Sequence, residues 1–159
     1  MTPDRRRLML PGLLVEGWRF GRHAPVRAAL MHLRDSSDAV RWRAAYLLGR
    51  TRASVGARAL LAASTDRHPW VRQNVMRGLT RTATDSAGVP RDSVVPVLLR
   101  GLTDGDAGTR VNALLSLATW SDSALASRVV PLLRDPVSNV RLQALLTLAG
   151  LPGEAARLA

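Results

Sequence analysis

Residues 35–49 read DSSDAVRWRAAYLLG, an aspartate followed by turn-forming residues and then by a proline-free run with helical spacing. Three related stretches follow it: DRHPWVRQNVMRGLT from Asp66, DGDAGTRVNALLSLA from Asp104 and DPVSNVRLQALLTLAG from Asp135. The four aspartates lie 31, 38 and 31 residues apart, and an arginine follows each of them after five intervening residues. A period of this size is typical of solenoids, in which stacked repeats bury a continuous core.

Each stretch also carries an apolar stripe at positions i, i+4 and i+8, the inner face of an amphipathic helix. In chain order the stripe consists of Val40, Ala44 and Leu48, then Val71, Val75 and Leu79, then Thr109, Ala113 and Leu117, then Val140, Ala144 and Leu148. A second apolar segment precedes each aspartate, as with Leu30 and Leu33 before Asp35. The predicted unit is therefore helix A, a tight turn and helix B.

The repeated blocks resemble HEAT-like repeats of the short type first associated with phycocyanobilin lyases, whose pattern is roughly D-x-x-x-x-V-R-x-x-A-x-x-x-L-G. The resemblance covers about residues 24–150, with departures at Thr109, Gly78 and Thr80. It implies an all-α fold, a right-handed α-solenoid of about four HEAT-like helical hairpins. It implies little about function, because relatives include scaffolds, lyases, DNA-binding proteins and glycosylases.

In that family the repeated aspartate and arginine form a ladder between neighbouring turns. Carried over to this sequence, the resemblance implies a structural ladder made of Asp35, Arg41, Asp66, Arg72, Asp104, Arg110, Asp135 and Arg141. An aspartate at such a turn is also a good acceptor for the free N–H groups at a helix start. We therefore expect these eight residues to serve the scaffold, and we look for function where the repeats differ.

The sequence predicts a single domain over 1–159, with an N-terminal cap at 1–23 and repeats at 24–52, 53–81, 93–119 and 122–150. The longer second interval predicts an inserted loop over 82–92, which contains Gly88 and Pro90. Residues 151–159 are predicted to begin a partial terminal helix. Pro96 and Pro131 are expected in the first turns of their helices, where the missing N–H costs nothing.

Charge is distributed unevenly along the chain. The net charge is +11, and all 23 basic residues are arginine. Residues 1–81 contain 16 arginines and five acids, whereas residues 82–159 contain seven of each. An anionic partner should therefore meet the N-terminal half. The sequence has no cysteine and no apolar run long enough to span a membrane, so we expect a cytoplasmic protein without membrane contact.

The variable positions of helix B, on the predicted concave side, are the candidate binding residues. They are Trp42, Arg43, Tyr46, Arg50, Asn74, Arg77, Arg81 and Asn112. Arginines interleaved with an aromatic residue and amides suit an acidic protein or peptide, which is the favoured partner, and they also suit a nucleic acid. Trp70 and Trp120 are expected to pack between repeats. The apolar C-terminal end offers a surface for an oligomer or another partner.

Catalysis receives little support from the residues. His23, His32 and His68 lie on different elements without metal-ligand spacing, and no Gly-rich phosphate loop or nucleophile elbow occurs. We expect no metal and no cofactor, and we favour a non-catalytic interaction module. A DNA glycosylase or lyase of HEAT-like fold is kept as the enzyme alternative.

Overall fold

The computed structural model describes residues 25–153, so the predicted cap at 1–23 and most of the predicted terminal helix lie outside the described residues. Helices alternate with short turns along this part of the chain. Their bounds are α1 (Val26–His32), α2 (Asp38–Thr51), α3 (Ser54–Ala62), α4 (Pro69–Gly78), α5 (Arg81–Ser86), α6 (Arg91–Gly101), α7 (Ala107–Ala118), α8 (Ala126–Val129) and α9 (Ser138–Gly150). The 3-10 segments Ser123–Leu125 and Val130–Arg134 flank α8.

The helices form four successive hairpins, which confirms the predicted all-α solenoid. The hairpins are α1–α2, α3–α4, α6–α7 and the segment around α8 followed by α9. The second helices pack directly on one another in the order α2, α4, α7, α9. Successive first helices touch much less. Within residues 25–153, no helix combines the length and apolarity that a bilayer crossing requires.

The predicted apolar stripe forms the core of the second-helix layer. All of its residues are buried except Val40, which is half-buried. The stripe therefore faces the interior, where α4 and α7 each pack against two other second helices and α2 and α9 each pack against one in the described chain. Thr109 replaces the usual valine in the third repeat, and its hydroxyl donates to Asp106 at 2.9 Å while the side chain stays buried.

Helix α5 occupies the first half of the segment that was predicted to be a loop at 82–92. Its start is capped by Thr80, whose hydroxyl accepts from the N–H of Ala83, and the buried side chains of Ala83 and Thr84 anchor the helix. The helix packs against α3. The irregular part is only the turn at 87–90, where Gly88 has a φ of 61°. The loop prediction was wrong because a short polar sequence gives no apolar pattern. The helix depends instead on the Thr80 cap and on the two buried side chains.

One of the two prolines lies deeper in its helix than expected, and the other lies in a first turn as predicted. Helix α6 begins at Arg91, so Pro96 is internal to it. Pro131 lies within the 3-10 segment Val130–Arg134, which follows α8 directly. Because proline lacks an N–H and crowds the preceding turn, the first helix of the fourth repeat is broken into short pieces.

Helices α2 and α4 approach each other closely at two glycines. A Cβ on Gly49 would overlap the carbonyl oxygen of Asn74, and a Cβ on Gly78 would overlap the Leu60 side chain. The same hypothetical Cβ on Gly78 would lie 3.1 Å from the Cα of Gly49. Any side chain at either position would push the two helices apart, so these glycines set the spacing of the first two repeats.

Candidate functional site

The ladder arginines join each repeat to the next one. Arg72 donates through Nε to Asp104 Oδ2 at 2.7 Å and through Nη2 to Oδ1 at 2.9 Å. Arg110 holds Asp135 in the same bidentate way, with both distances 2.8 Å. Arg41 reaches Asp66 at 2.8 and 3.2 Å and also contacts Asp38. The pairing therefore runs from one repeat to the following one and not within a repeat.

The third guanidinium nitrogen fastens each arginine to its own turn. Nη1 of Arg110 donates to the carbonyls of Asp104 and Gly105 at 2.8 and 3.2 Å. The equivalent bonds recur for Arg41, Arg72 and Arg141. One planar cation thus fixes the turn of its own hairpin and the position of the next.

The aspartate carboxylates also accept hydrogen bonds from backbone N–H groups of the turns that they begin. Asp104 accepts from the N–H of Asp106 at 2.9 Å, and Asp135 accepts from the N–H of Val137 at 2.9 Å. The hydrogen bonds from Arg72 and Arg110, respectively, lower the pKa of these two carboxyls below the usual aspartate value. Both carboxylates are mostly buried, and each accepts from an arginine and from a backbone N–H.

The surface that α2 and α4 present in the first two repeats has an aromatic end at the start of these helices. The indole of Trp70 meets that of Trp42 edge to face, with centroids 5.1 Å apart. The His68 ring lies 5.7 Å from Trp70, and the Arg43 guanidinium stacks 4.4 Å above the Trp42 ring. Trp70 bridges the two repeats as expected, yet 51% of its surface stays exposed. Trp120, by contrast, is buried between repeats.

The other end of the same surface is cationic. Burial lowers the pKa of Arg77, and the charge of Arg50 lowers it further. The Arg52 charge acts in the same direction, while Tyr46 opposes it. Arg77 is half-buried, and within the described part of the chain no carboxylate pairs with it. A cation in this position is partly desolvated, and residues 25–153 offer it no carboxylate in return.

The remaining predicted binding residues play smaller parts on this surface. Asn74 and Asn112 are buried, and each donates to the carbonyl four residues earlier, at 2.7 and 3.0 Å. Arg81 is exposed, with its backbone N–H donating to Thr119 and its Nε 3.4 Å from Asp85. The two amides are therefore buried in the helix layer, and the arginines and aromatic rings of the predicted set are the more exposed side chains.

Sequence reasoning missed Arg52 at the cationic end and Arg67 at the turns between repeats. Arg52 follows the end of α2 with a φ of 48° and contributes to the cationic end. Arg67 lies at the turn before α4 and donates to Asp38 of the first repeat at 2.9 and 3.1 Å. Arg52 lies outside the repeat pattern because it follows a helix end, so only the fold shows where its charge lies. In the stretch covered by the structure, no three potential metal ligands come together.

Comparison with known proteins shows which solved structures have a similar fold. No family model matches the chain, and no curated protein matches it. A designed armadillo repeat protein superimposes with a TM-score of 0.68 at 14% identity, over 99% of this chain and 82% of that one. The complex of CpcE and CpcF of phycocyanin lyase from Nostoc gives a TM-score of 0.64 at 20% identity, over 92% of this chain and 90% of the other.

The chain is a helical-repeat protein. An engineered protein provides a third comparison, with a TM-score of 0.63 and 19% identity over 81% of this chain. The chain spans only 63% of that engineered protein's length. At identities of this size, the similarity shows a stack of helical hairpins and says nothing about ligands.

Proposed function

We propose that this helical-repeat protein is a non-catalytic interaction module that binds an acidic protein segment or peptide in the groove of its first two repeats. The observation that carries the proposal is the half-buried Arg77 guanidinium, which has like-charged neighbours and no carboxylate in the described chain. The similar helical-repeat proteins CpcE and CpcF occur as a complex, which supports a partner-binding role for this fold.

The chemistry of the cationic end favours a carboxylate or phosphate ligand. A guanidinium offers a planar fork to such an anion and forms charge-assisted hydrogen bonds that are stronger than neutral ones. Partial burial reduces solvent screening, so an anion that reaches Arg77 gains more than one that pairs with an exposed arginine. The Arg50 and Arg52 charges lie close enough to lower the Arg77 pKa, and both would attract the same ligand.

The two ends of the groove suggest the length of the ligand. Trp70 and Arg77 are seven residues apart on α4, which corresponds to a rise of about 10 Å along the helix. An extended peptide covers that distance in about three residues. We therefore expect an apolar or proline side chain on the Trp70 ring and an acidic side chain about three residues away at Arg77.

Fluorescence anisotropy with a labelled peptide of the form acetyl-GPPGGEEG tests this proposal. Arg50→Gln combined with Arg77→Gln should weaken binding of this peptide by about 10-fold or more, as expected for losing charge-assisted hydrogen bonds. The matched control is Arg100→Gln combined with Arg134→Gln, which removes the same charge from exposed positions on other elements. Equal losses in the two variants would mean that net charge, and not the groove, attracts the peptide.

Single-stranded nucleic acid is the second candidate, favoured by the exposed Trp70 ring beside a stacked arginine. A labelled 20-nucleotide DNA in the same assay separates the candidates. Tighter binding to DNA than to the peptide, with an affinity that falls steeply as salt rises and depends on Trp70, would replace the peptide by nucleic acid as the ligand.

A further inference from the structure

The last helix of the described chain ends the ladder with an unused donor. Nη1 of Arg141 binds the carbonyls of Asp135 and Pro136 at 2.8 and 3.1 Å, as in the earlier repeats. In Arg41, Arg72 and Arg110, the Nε and Nη2 atoms donate to the aspartate of the next repeat. Across residues 25–153, these two nitrogens of Arg141 have no hydrogen-bond acceptor.

The same helix also exposes an apolar side chain whose equivalents in the first three repeats are buried. Four residues beyond the ladder arginine lie Ala45, Met76 and Leu114 in the first three repeats, and they are 0%, 2% and 0% exposed. The equivalent residue of α9 is Leu145, which is 49% exposed. Leu142 and Leu146 beside it are each 56% exposed. Leu146 lies at the position of Leu115, which is also 43% exposed, so it belongs to the groove side. The trailing face of α9, defined by Arg141, Leu142 and Leu145, therefore has the composition of an internal repeat interface and not of a polar cap.

We propose that the trailing face of α9 is a docking surface for a helical hairpin of a partner protein, and that this hairpin presents an aspartate in the turn between its helices. The argument is continuity, because the same arginine fork and the same apolar position receive such a hairpin at each of the three repeat boundaries. The proposal is independent of the groove, which lies on the first two repeats.

A second copy of this chain does not supply the hairpin head to tail. Ser116 and Thr147 show which side of the second helices faces backwards, since they donate to the carbonyls of Met76 and Leu114 in the preceding repeats. The equivalent residue in α2 is Leu47, which is completely buried. Leu47 is therefore not available at this position of the first repeat, so a second copy that stacked head to tail would lack the contact that a second helix makes there.

Tandem duplication of residues 120–150 within the full chain tests the chemistry of docking. The duplication places a second copy of Asp135 one repeat beyond the first Arg141. The melting temperature should rise by at least about 4 °C, the shift expected from one or two kcal/mol in a chain of this size. Arg141→Gln in the first copy and Asp135→Asn in the second should each reduce the gain, and the double variant should lose no more than the larger single loss. The proposal is overturned if the melting temperature does not rise, or if it rises equally with and without the two substitutions.

Cysteine labelling of the undivided chain tests whether the face is free. Because the sequence has no cysteine, Leu145→Cys provides a single thiol, and Ala45→Cys is the matched buried control. Leu145→Cys should react with a maleimide at least about 10-fold faster than Ala45→Cys. A protected Leu145→Cys thiol at micromolar concentration would show that the chain's own residues cover the face. Sedimentation that shows a dimer, lost in Leu145→Asp, would assign the face to a second copy. Either result overturns the proposal.

A photo-reactive amino acid at position 145 tests the partner directly in a lysate of the source cells. The cross-link should fall in a helical hairpin, within about one turn of an aspartate between its helices. It should be lost in Arg141→Gln and kept in Arg134→Gln, whose arginine is exposed on a preceding segment. A cross-link to any other kind of structure, or no cross-link at all, contradicts the proposal.

Discussion

Arg110 and Asp135 form a bidentate ion pair across the boundary between the third and fourth repeats, and both side chains are about nine-tenths buried. The pair belongs to a series in which each arginine serves its own turn and the next repeat at once. Arg141 repeats the first function without the second in the described chain. Comparing Arg110 with Arg141 therefore separates the effect of the inter-repeat ion pair from the effect of the bonds to the turn.

Arg110→Gln should therefore cost far more stability than Arg141→Gln. Breaking a buried pair leaves Asp135 without its cation and costs about 3 kcal/mol or more, whereas exposed Arg141 loses only its bonds to turn carbonyls, about 1 kcal/mol. Urea unfolding followed by circular dichroism measures both free energies. Equal losses for the two variants would show that the inter-repeat pairs add nothing to stability.

The ladder predicts that stability falls in acid. The pKa values of Asp104 and Asp135 are lowered in the folded chain by Arg72 and Arg110, respectively. The unfolded aspartates titrate near pH 4, so the ladder's contribution is complete above about that pH and is lost as pH falls through the lower folded values. Melting temperatures between pH 7 and pH 2.5 should show this loss. Arg110→Gln should make it shallower, and an unchanged profile would contradict the assignment.

Gly49→Ala should destabilise the protein even though alanine is the better helix former. The propensity gain is about 1 kcal/mol, but the added methyl group would overlap the Asn74 carbonyl and force α2 away from α4. Overpacking of this kind costs about 1–3 kcal/mol, so we expect a net loss of about 1 kcal/mol. Gly150→Ala is the control, because nothing lies within 4 Å of its Cβ position. It should be neutral or slightly stabilising in thermal unfolding.

Arg77→Met should stabilise the free protein and weaken its response to anions. The substitution removes a cation whose pKa is lowered by burial and by the Arg50 charge. We expect a small gain in the free energy of unfolding, because sites kept for function are often less stable than the scaffold allows. Adding inorganic phosphate should then raise the melting temperature of the natural chain more than that of Arg77→Met. Arg128→Met, at an exposed position, should respond like the natural chain. If phosphate raises the melting temperature of Arg77→Met as much as that of the natural chain, Arg77 does not take part in anion binding.

Regular parts of the structure could be predicted from the sequence because their signal repeats. The apolar stripe and the aspartate spacing gave four hairpins and their buried residues, and the structure confirms both. Helix α5 was missed because it occurs once, is only six residues long and depends on the Thr80 cap and on two side chains that fit against α3. The position of Pro96 was misjudged for the same reason, since α6 begins earlier than its apolar pattern does.

The candidate site divides in the same way. The sequence by itself determined that the basic and aromatic variable positions belong to the first two repeats, because helical periodicity assigns each residue to a face. Only the tertiary structure decided that each ladder arginine binds the following repeat, that Asn74 and Asn112 turn inward, and that Arg77 is half-buried. The physical reason is that periodicity describes one helix at a time. Pairing, burial and the donors of Arg141 that find no acceptor within residues 25–153 depend on how neighbouring helices stack.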